Sequence, residues 1–334
     1  MTRHSRDKSI SPDKKMESKL QDPERRSFLG SSVGMAAVGA ASVMGACKAF
    51  AAEVELPELV TEDWQTLQRG AQDTDLFTET TGWDKGTELT WWPGRNMAGV
   101  AIGIIRFQAN LPMVPGNMGN ASTFNYPVVY VEGNYPAIAD IMAEQPTESF
   151  TNATVEACKW LELQGVRAIT TNCGFYATYQ KVVQDRIDVP FYSSSLMQLP
   201  MMVQATSSNK KVGVLTANGP LLSKGPALIN TGLNPNDMDR VVIEGCEDGA
   251  EFKHNLLGLT GKLNPYKLEQ DILAGAERLM KREPNIGSIL LECTELAPSA
   301  KAVQDLTRVP VWDFTTLTDW MYTGAMRRRF TGYM

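Results

Sequence analysis

Histidine is nearly absent from this chain, with two copies among 334 residues, and only His254 lies beyond the first 51 residues. A serine–histidine–aspartate relay and a multi-histidine metal site are therefore disfavoured. No glycine-rich nucleotide fingerprint follows a predicted strand, because Gly99 and Gly103 lie within one. No lysine stands in a context that favours a pyridoxal Schiff base. These absences exclude several common kinds of active site.

Basic residues are scarce once the N-terminal segment is set aside. Residues 1–51 hold nine of the 32 Lys and Arg and five of the 38 Asp and Glu, which leaves 23 basic and 33 acidic residues. The net charge of that remainder is about −10. Because nucleic-acid binding needs a basic footprint, we expect no nucleic-acid partner. The remainder is long enough for two medium α/β lobes with a substantial core.

The N-terminal apolar run is weak, because residues 28–46 are rich in glycine, alanine and serine. It follows Glu-Arg-Arg-Ser-Phe-Leu-Gly at 24–30, a twin-arginine export pattern, and precedes Ala-Phe-Ala at 49–51, a small-x-small cleavage site. We predict that residues 1–51 are a twin-arginine signal peptide and that the mature protein is periplasmic. The composition of the run favours removal over stable membrane insertion.

Lipidation at Cys47 is an alternative to cleavage after residue 51. The surrounding sequence is Met44-Gly45-Ala46-Cys47. A branched aliphatic residue is expected where Met44 stands, and this disfavours a lipid anchor.

Four cysteines lie beyond the signal peptide: Cys158, Cys173, Cys246 and Cys293. In an oxidising compartment they could pair in three ways, so a structural disulfide stays open. Cys158 falls on a predicted amphipathic helix and is expected to be a small buried hydrophobe. Cys246 ends a predicted strand and suits either the core or the rim of a cleft.

Cys173 and Cys293 occupy equivalent positions in an internal repeat. At a constant offset of 120 residues, Cys173, Lys181, Val183, Gln184, Asp185, Val189 and Pro190 recur as Cys293, Lys301, Val303, Gln304, Asp305, Val309 and Pro310. Each copy contains an apolar run, a cysteine at its end, a helical pattern and a short strand that begins with Val-Pro. Duplicated units usually face each other across a pseudo-twofold axis. We therefore expect both thiols to point into one cleft.

The complete pattern predicts an α/β protein with two pseudo-symmetric lobes, each a small parallel sheet flanked by helices, and an active site in the interlobe cleft. Residues 52–97 are predicted to be an N-terminal extension that docks through its tryptophans. Residues 98–209 form the first predicted lobe and 210–313 the second, and a C-terminal helix within 314–334 rejoins the first lobe. Predicted strands are 98–107, 126–132, 166–171, 189–192, 211–216, 240–244, 286–291 and 309–313, and predicted helices include 150–164, 220–228 and 265–282.

The motif Leu-Glu-Cys-Thr-Glu-Leu at 291–296, balanced by Thr171-Asn172-Cys173, resembles the aspartate/glutamate racemase superfamily. That superfamily includes hydantoin racemases and, more distantly, arylmalonate decarboxylases and maleate isomerases. The resemblance covers roughly residues 98–320. It implies a cofactor-independent and metal-free racemase or epimerase, in which one thiolate removes the proton beside a carboxylate and the opposite thiol returns a proton. It also implies a small anionic substrate and a homodimer.

Two other functions stay open. A single-cysteine decarboxylase or cis–trans isomerase would belong to the same superfamily. A periplasmic solute-binding protein would also have an export signal and two α/β lobes around a cleft, although such a receptor has no need of paired cysteines.

The resemblance assigns Cys173 and Cys293 as the acid/base pair. Family members usually show Cys-Asn-Thr at the first site, so an alignment on Asn172 would place Thr171 in the reactive position. The repeat instead pairs Cys173 with Cys293, and we favour this pairing because seven identities share one spacing. A helix beginning after each cysteine is expected to lower the thiol pKa toward neutrality.

Candidate substrate-binding residues flank the two cysteines or lie in nearby polar loops. Glycine would allow close approach of a backbone N–H, and the hydroxyl and amide groups would donate to a carboxylate or enediolate. Glu295 is expected either to accept from a substrate ammonium or to face solvent. These candidates are Asn172, Gly174, Thr294, Glu295, Ser194, Ser195 and Asn120.

Overall fold

The fold is taken from a computed structural model, which describes residues 97–107, 111–135, 138–328 and 330. The predicted signal peptide, the alternative lipid site at Cys47 and all of the predicted N-terminal extension except its last residue lie outside these ranges. Among the helices that are described, none has the length and apolar character needed to cross a bilayer.

Strands and helices alternate along the described part of the chain. The strands are β1 Ile102–Arg106, β2 Val128–Glu132, β3 Ala168–Thr171, β4 Phe191–Tyr192, β5 Lys211–Thr216, β6 Val241–Gly245, β7 Ile286–Leu291 and β8 Val311–Trp312. The α-helices are α1 Glu148–Leu163, α2 Gln180–Gln184, α3 Leu199–Ala205, α4 Gly219–Lys224, α5 Ala227–Asn230, α6 Pro265–Arg282, α7 Ala300–Thr307 and α8 Phe314–Ala325.

The strands form two sheets with the same topology. One has the order β2-β1-β3-β4 and the other β6-β5-β7-β8, and all pairings are parallel. This confirms the predicted fold class of two pseudo-symmetric lobes. In each sheet the strand order reverses beside the central strand, between β1 and β3 or between β5 and β7. Such reversals open a crevice at the carboxyl ends of parallel strands, where ligands bind.

The duplicated unit is confirmed at the level of secondary structure. Strands β3 and β7 end 120 residues apart, helices α2 and α7 begin 120 residues apart, and β4 and β8 are related by the same offset. The predicted helix 220–228 is instead two short helices, α4 and α5. Gly225 ends the first in an extended conformation and Pro226 precedes the second, because the residue before proline is driven away from helical geometry.

The last helix packs on the first sheet although it follows the last strand of the second sheet. Phe314, Leu317 and Met321 of α8 are buried against Ile102 of β1 and Ala168 of β3. A capping box fixes its first turn. This packing ties the two lobes together through the chain itself.

That capping box belongs to Asp313 and Thr316. The carboxylate of Asp313 accepts from the backbone N–H of Thr316 at 3.0 Å, and the hydroxyl of Thr316 accepts from the backbone N–H of Asp313 at 3.0 Å. The Thr316 hydroxyl also donates to the side chain of Gln198 at 2.8 Å. The start of α8 is thereby bonded to the turn that follows β4 in the first lobe.

Candidate active site

Cys173 lies two residues after the end of β3, and Cys293 lies two residues after the end of β7. Each is at the crevice of its sheet. The two loops touch. A methyl group added at Gly174 would lie 2.0 Å from Oε1 of Glu292, and the hydroxyl of Ser195 donates to the carbonyl of Leu291 at 2.9 Å. The two thiols are close enough for Cys173 to raise the pKa of Cys293. The structure therefore brings both cysteines to one site.

Burial raises the pKa of both thiols, and Glu292 is the charged neighbour that raises each of them most. The backbone N–H of Phe175 lowers the pKa of Cys173, and that of Glu295 lowers the pKa of Cys293, but burial and acidic neighbours outweigh both. The expectation that the chain following each cysteine brings the thiol pKa toward neutrality is therefore wrong for the resting site. Cys173 is half-buried and Cys293 is 8% exposed, so burial acts more completely on Cys293.

Glu292 is a fully buried carboxyl with one bonded and one unbonded oxygen. Its Oε2 accepts from the hydroxyl of Thr216 at 2.8 Å, whereas Oε1 has no hydrogen-bond partner among the described residues. Burial raises the pKa of Glu292 to about 7, opposed by the hydroxyl of Thr216 and the backbone N–H of Ala217. A buried polar atom without a partner is costly, so this oxygen requires an explanation.

Glu295 is a second buried carboxyl at the same crevice. Burial raises its pKa to about 7, and the amide of Asn117 opposes the shift. The Oδ1 of Asn117 accepts from the backbone N–H of Gly119 at 2.7 Å, while its buried Nδ2 makes no hydrogen bond of normal geometry with the described residues. The loop also bonds to the motif, since the backbone N–H of Met118 donates to the hydroxyl of Thr294 at 2.9 Å. The loop after β1 thus reaches the second lobe.

The two cysteine loops are equivalent in position but not in chemistry. Asn172, which precedes Cys173, accepts from the backbone N–H of Phe107 at 2.6 Å; at the equivalent position, Glu292 accepts from the hydroxyl of Thr216 at 2.8 Å, and the backbone N–H of Ala217 lowers its pKa. Phe107 and Ala217 each follow the central strand of their sheet. The side chain before each cysteine therefore clamps the loop to that strand, but only the second lobe does so with a carboxyl.

The two predicted serines have protein partners. Ser194 accepts from the backbone N–H of Leu196 at 3.2 Å and so caps the turn that follows. Ser195 donates to the carbonyls of Leu291 and Glu292 at 2.9 and 3.3 Å. Both serines are buried and shape the wall of the crevice. Their roles in substrate binding stay predictions.

Asn120 and Thr171 are also engaged locally. The side chain of Asn120 accepts from the backbone N–H of Ser122 at 2.9 Å and donates to the carbonyl of Met113 at 2.8 Å, which shapes the loop after β1. The hydroxyl of Thr171, the alternative to Cys173, donates to the carbonyl of Ser193 at 2.7 Å. This bond gives Thr171 a structural role. The role of Asn120 in substrate binding stays a prediction.

Sequence reasoning missed three kinds of group at the site. Glu292 lies inside the recognised motif, 120 residues after the candidate Asn172, and this repeat offset could have identified it. Asn117 lies in the same loop as the candidate Asn120. Tyr135 and Tyr176 had no signal; their hydroxyls are 2.6 Å apart, and each ring interacts electrostatically with Cys173.

The charged groups with the largest influence on the pKa of each thiol are Glu292 and then Glu295. None of these influential groups is a lysine, an arginine or a histidine. Within the described ranges, no set of three or more His, Cys, Asp or Glu side chains is placed to hold a metal ion. An acidic site of this kind favours a ligand that carries a positive charge.

We expect Gly174→Ala to disrupt the site. The added methyl would lie 2.0 Å from Oε1 and 2.3 Å from the carbonyl oxygen of Glu292, and the second of these is backbone that cannot move freely. Overpacking of this kind costs about 1–3 kcal/mol, and it separates the two loops. Thermal unfolding and turnover should both fall relative to wild type. Gly324→Ala is the matched control, because nothing lies within 4 Å of its added methyl.

Two curated relatives are named as lyases. Dimethylsulfoniopropionate lyase 7 of Emiliania huxleyi is 32% identical over 224 residues, which cover 65% of this chain and 64% of the relative. Dimethylsulfoniopropionate lyase 6 of the same organism is 31% identical over 233 residues, which cover 68% of this chain and 60% of the relative. This chain thus spans less than two thirds of the length of these relatives.

Two solved structures with similarity to this chain are racemases. Allantoin racemase from Klebsiella pneumoniae is 15% identical, with 68% of this chain and 89% of that chain covered and a TM-score of 0.46. Picrophilus torridus aspartate racemase is 18% identical, with 68% of this chain and 94% of that chain covered and a TM-score of 0.42. No protein-family model matches the chain.

Proposed function

We propose that this protein is a lyase that removes a neutral leaving group from the β-carbon of a small zwitterionic propionate, with dimethylsulfoniopropionate as the first substrate to test. One observation supports this most: two thiols share a crevice with two buried carboxyls, Glu292 and Glu295, which are the strongest charged neighbours of both thiols. The names of the two curated relatives supply the substrate class.

The reaction needs one strong base beside the α-carbon. A thiolate would take the α-proton, the C–H electron pair would become the C=C bond, and the C–S pair would leave with dimethyl sulfide. The other product is acrylate. Because the sulfonium becomes a neutral thioether, the leaving group needs no acid. One positioned base therefore suffices, and such a group contributes roughly 10²–10⁴-fold.

The site offers partners to both ends of this substrate. The buried carboxyl of Glu295 favours the sulfonium charge. The buried Nδ2 of Asn117 lowers the pKa of Glu295 but makes no hydrogen bond of normal geometry with the described residues, so it is also a donor that the substrate carboxylate can use. A donor in place before reaction stabilises the negative charge that develops as the α-proton leaves.

A two-base racemase or epimerase is the second candidate, and the paired thiols favour it. Racemisation needs a proton removed from one face and another delivered to the opposite face, which two opposed thiols would perform. The same site would then take an α-amino acid, whose ammonium would meet Glu295. Elimination, in contrast, returns no proton to carbon.

Product analysis in heavy water separates these functions. We expect the purified protein to convert dimethylsulfoniopropionate into equal amounts of acrylate and dimethyl sulfide, measured by proton NMR and gas chromatography. Heat-unfolded protein is the control for the slow spontaneous reaction. Unchanged dimethylsulfoniopropionate together with deuterium at the α-carbon of an amino acid would establish the racemase instead. A ligand bound tightly and recovered unchanged would indicate a solute receptor.

A further inference from the structure

We propose that Glu292 takes up the proton of the reactive thiol, so that thiol and carboxyl share one proton and one negative charge. This inference deepens the proposed function, on which its catalytic meaning rests, by naming the proton acceptor of the same site. Glu292 acts through the thiol and not on the substrate, so it is a positioning residue.

The geometry places this carboxyl beside both cysteine loops. Glu292 directly precedes Cys293 in the chain, and its Oε1 lies against Gly174, the residue after Cys173. Thr216 bonds to Oε2 and thereby fixes the carboxyl, while Oε1 is left without a partner among the described residues. The side chain is fully buried, so this free oxygen is positioned to accept a proton in the crevice.

Sharing one proton between the thiol and the carboxyl avoids a second buried negative charge at the site. A thiolate beside a carboxylate would bury two negative charges, and this is why the carboxyl raises the thiol pKa. If the thiol proton moves to Oε1, the pair keeps a single negative charge. Glu292 acts on the thiols of Cys173 from the first lobe and Cys293 from the second, and Glu295 acts on the same two thiols.

Each step conserves protons and electrons. The S–H bond breaks, sulfur keeps the electron pair, and the proton bonds to Oε1 of Glu292. The thiolate then takes the α-proton of the zwitterion, which becomes acrylate and dimethyl sulfide, and the thiol is thereby restored. Glu292 releases the proton that it accepted from the thiol to solvent, so each turnover yields one proton.

Alkylation by iodoacetamide tests this sharing without any substrate. Rates at Cys173 and Cys293 would be followed separately by peptide mass spectrometry from about pH 6 to pH 10. In wild type we expect the rate to rise about tenfold per pH unit up to roughly pH 7 and then to stay flat, because above the carboxyl pKa the thiolate forms by internal transfer. In Glu292→Gln the rise should continue, so that near pH 9 alkylation is roughly 10²-fold faster than in wild type.

Glu162→Gln is the matched control. Glu162 is also a buried carboxyl bonded to backbone, accepting from the N–H groups of Asp188 and Val189 at 2.6 and 3.0 Å, but it does not flank these thiols. Its variant should keep the flat region. A wild-type profile without a flat region, or one that Glu292→Gln leaves unchanged, would overturn the inference. Should Glu292→Gln fail to fold, Glu295→Gln replaces it: the flat region must persist there, and its loss would reject Glu292.

The outcome is independent of the proposed reaction. Loss of the flat region in Glu292→Gln would support proton sharing even if dimethylsulfoniopropionate were not a substrate. Conversely, acrylate formation together with identical alkylation profiles would leave the lyase in place and remove this role from Glu292.

Discussion

Cys293→Ala is expected to lower kcat for acrylate formation by roughly 10²–10⁴-fold, the contribution of one positioned base. Cys173→Ala should lower it by less than about tenfold. The variants would be compared by initial rates at saturating dimethylsulfoniopropionate. The predicted inequality follows from the difference between the two cysteine loops, although both loops occupy equivalent places in their lobes.

Elimination releases a proton in every turnover, so the base needs an acceptor beside it. Cys293 is flanked by Glu292 and Glu295, whereas the positions 120 residues earlier hold Asn172 and Phe175. The buried carboxyls thus belong to the loop of Cys293. The greater enclosure of Cys293 also removes water from the thiolate, which strengthens it as a base.

Cys246→Ala is the matched control, because this thiol is fully buried in the second lobe beside Gly275 and away from the two cysteine loops. It should keep the wild-type rate. Equal losses in Cys173→Ala and Cys293→Ala would contradict single-base elimination and would support the racemase, in which each thiol is needed for one face of the carbon.

The repeated unit could be predicted because its signal is local and doubled. A constant offset aligns Cys173 with Cys293 without gaps, and continuous apolar runs mark parallel strands buried on both faces. Strand β5, strand β7 and helix α6 match their predicted bounds for the same reason. The split at Gly225 was missed because the apolar pattern on either side reads as one helix.

The chemical environment of the site could not be predicted from the same patterns. Asn117 influences Glu295 from 178 positions away in the chain, and Gly174 meets Glu292 across the lobes. Such contacts depend on how the two lobes pack. The direction of the thiol pKa was wrong for this reason: the backbone N–H is a local feature, but burial and the acidic neighbours are tertiary ones.

The family resemblance indicated proton transfer beside a carboxylate but not the leaving group. Proton removal is common to racemisation and elimination, and it requires the same kind of base in each. What separates them is the group on the β-carbon, which the paired cysteines do not identify. The acidic surroundings, visible only after folding, are the feature that favours a cationic substituent.

Raising the pH from about 5 to 8 is expected to destabilise the native protein through Glu292 and Glu295. Burial raises both pKa values from 4.5 to about 7, so between these limits the native state binds more protons than the unfolded state. Stability therefore falls as pH rises through this window. A shift of this size corresponds to roughly 3 kcal/mol for each carboxyl. Both thiols have raised pKa values and stay neutral here, so they do not contribute.

Glu292→Gln removes one of these two titrations. Its free energy of unfolding, measured by urea denaturation, should fall by roughly 3 kcal/mol less than that of wild type between about pH 5 and pH 8. The comparison across pH cancels any constant cost of the new amide, such as a changed bond to Thr216. Glu283→Gln is the surface control, because Lys211 lowers the pKa of the Glu283 carboxyl. This variant should lose as much stability between about pH 5 and pH 8 as wild type does. Parallel pH curves for wild type and Glu292→Gln would mean that the carboxyl is ionised at no cost in the native protein, and the shared-proton site would then lose its energetic basis.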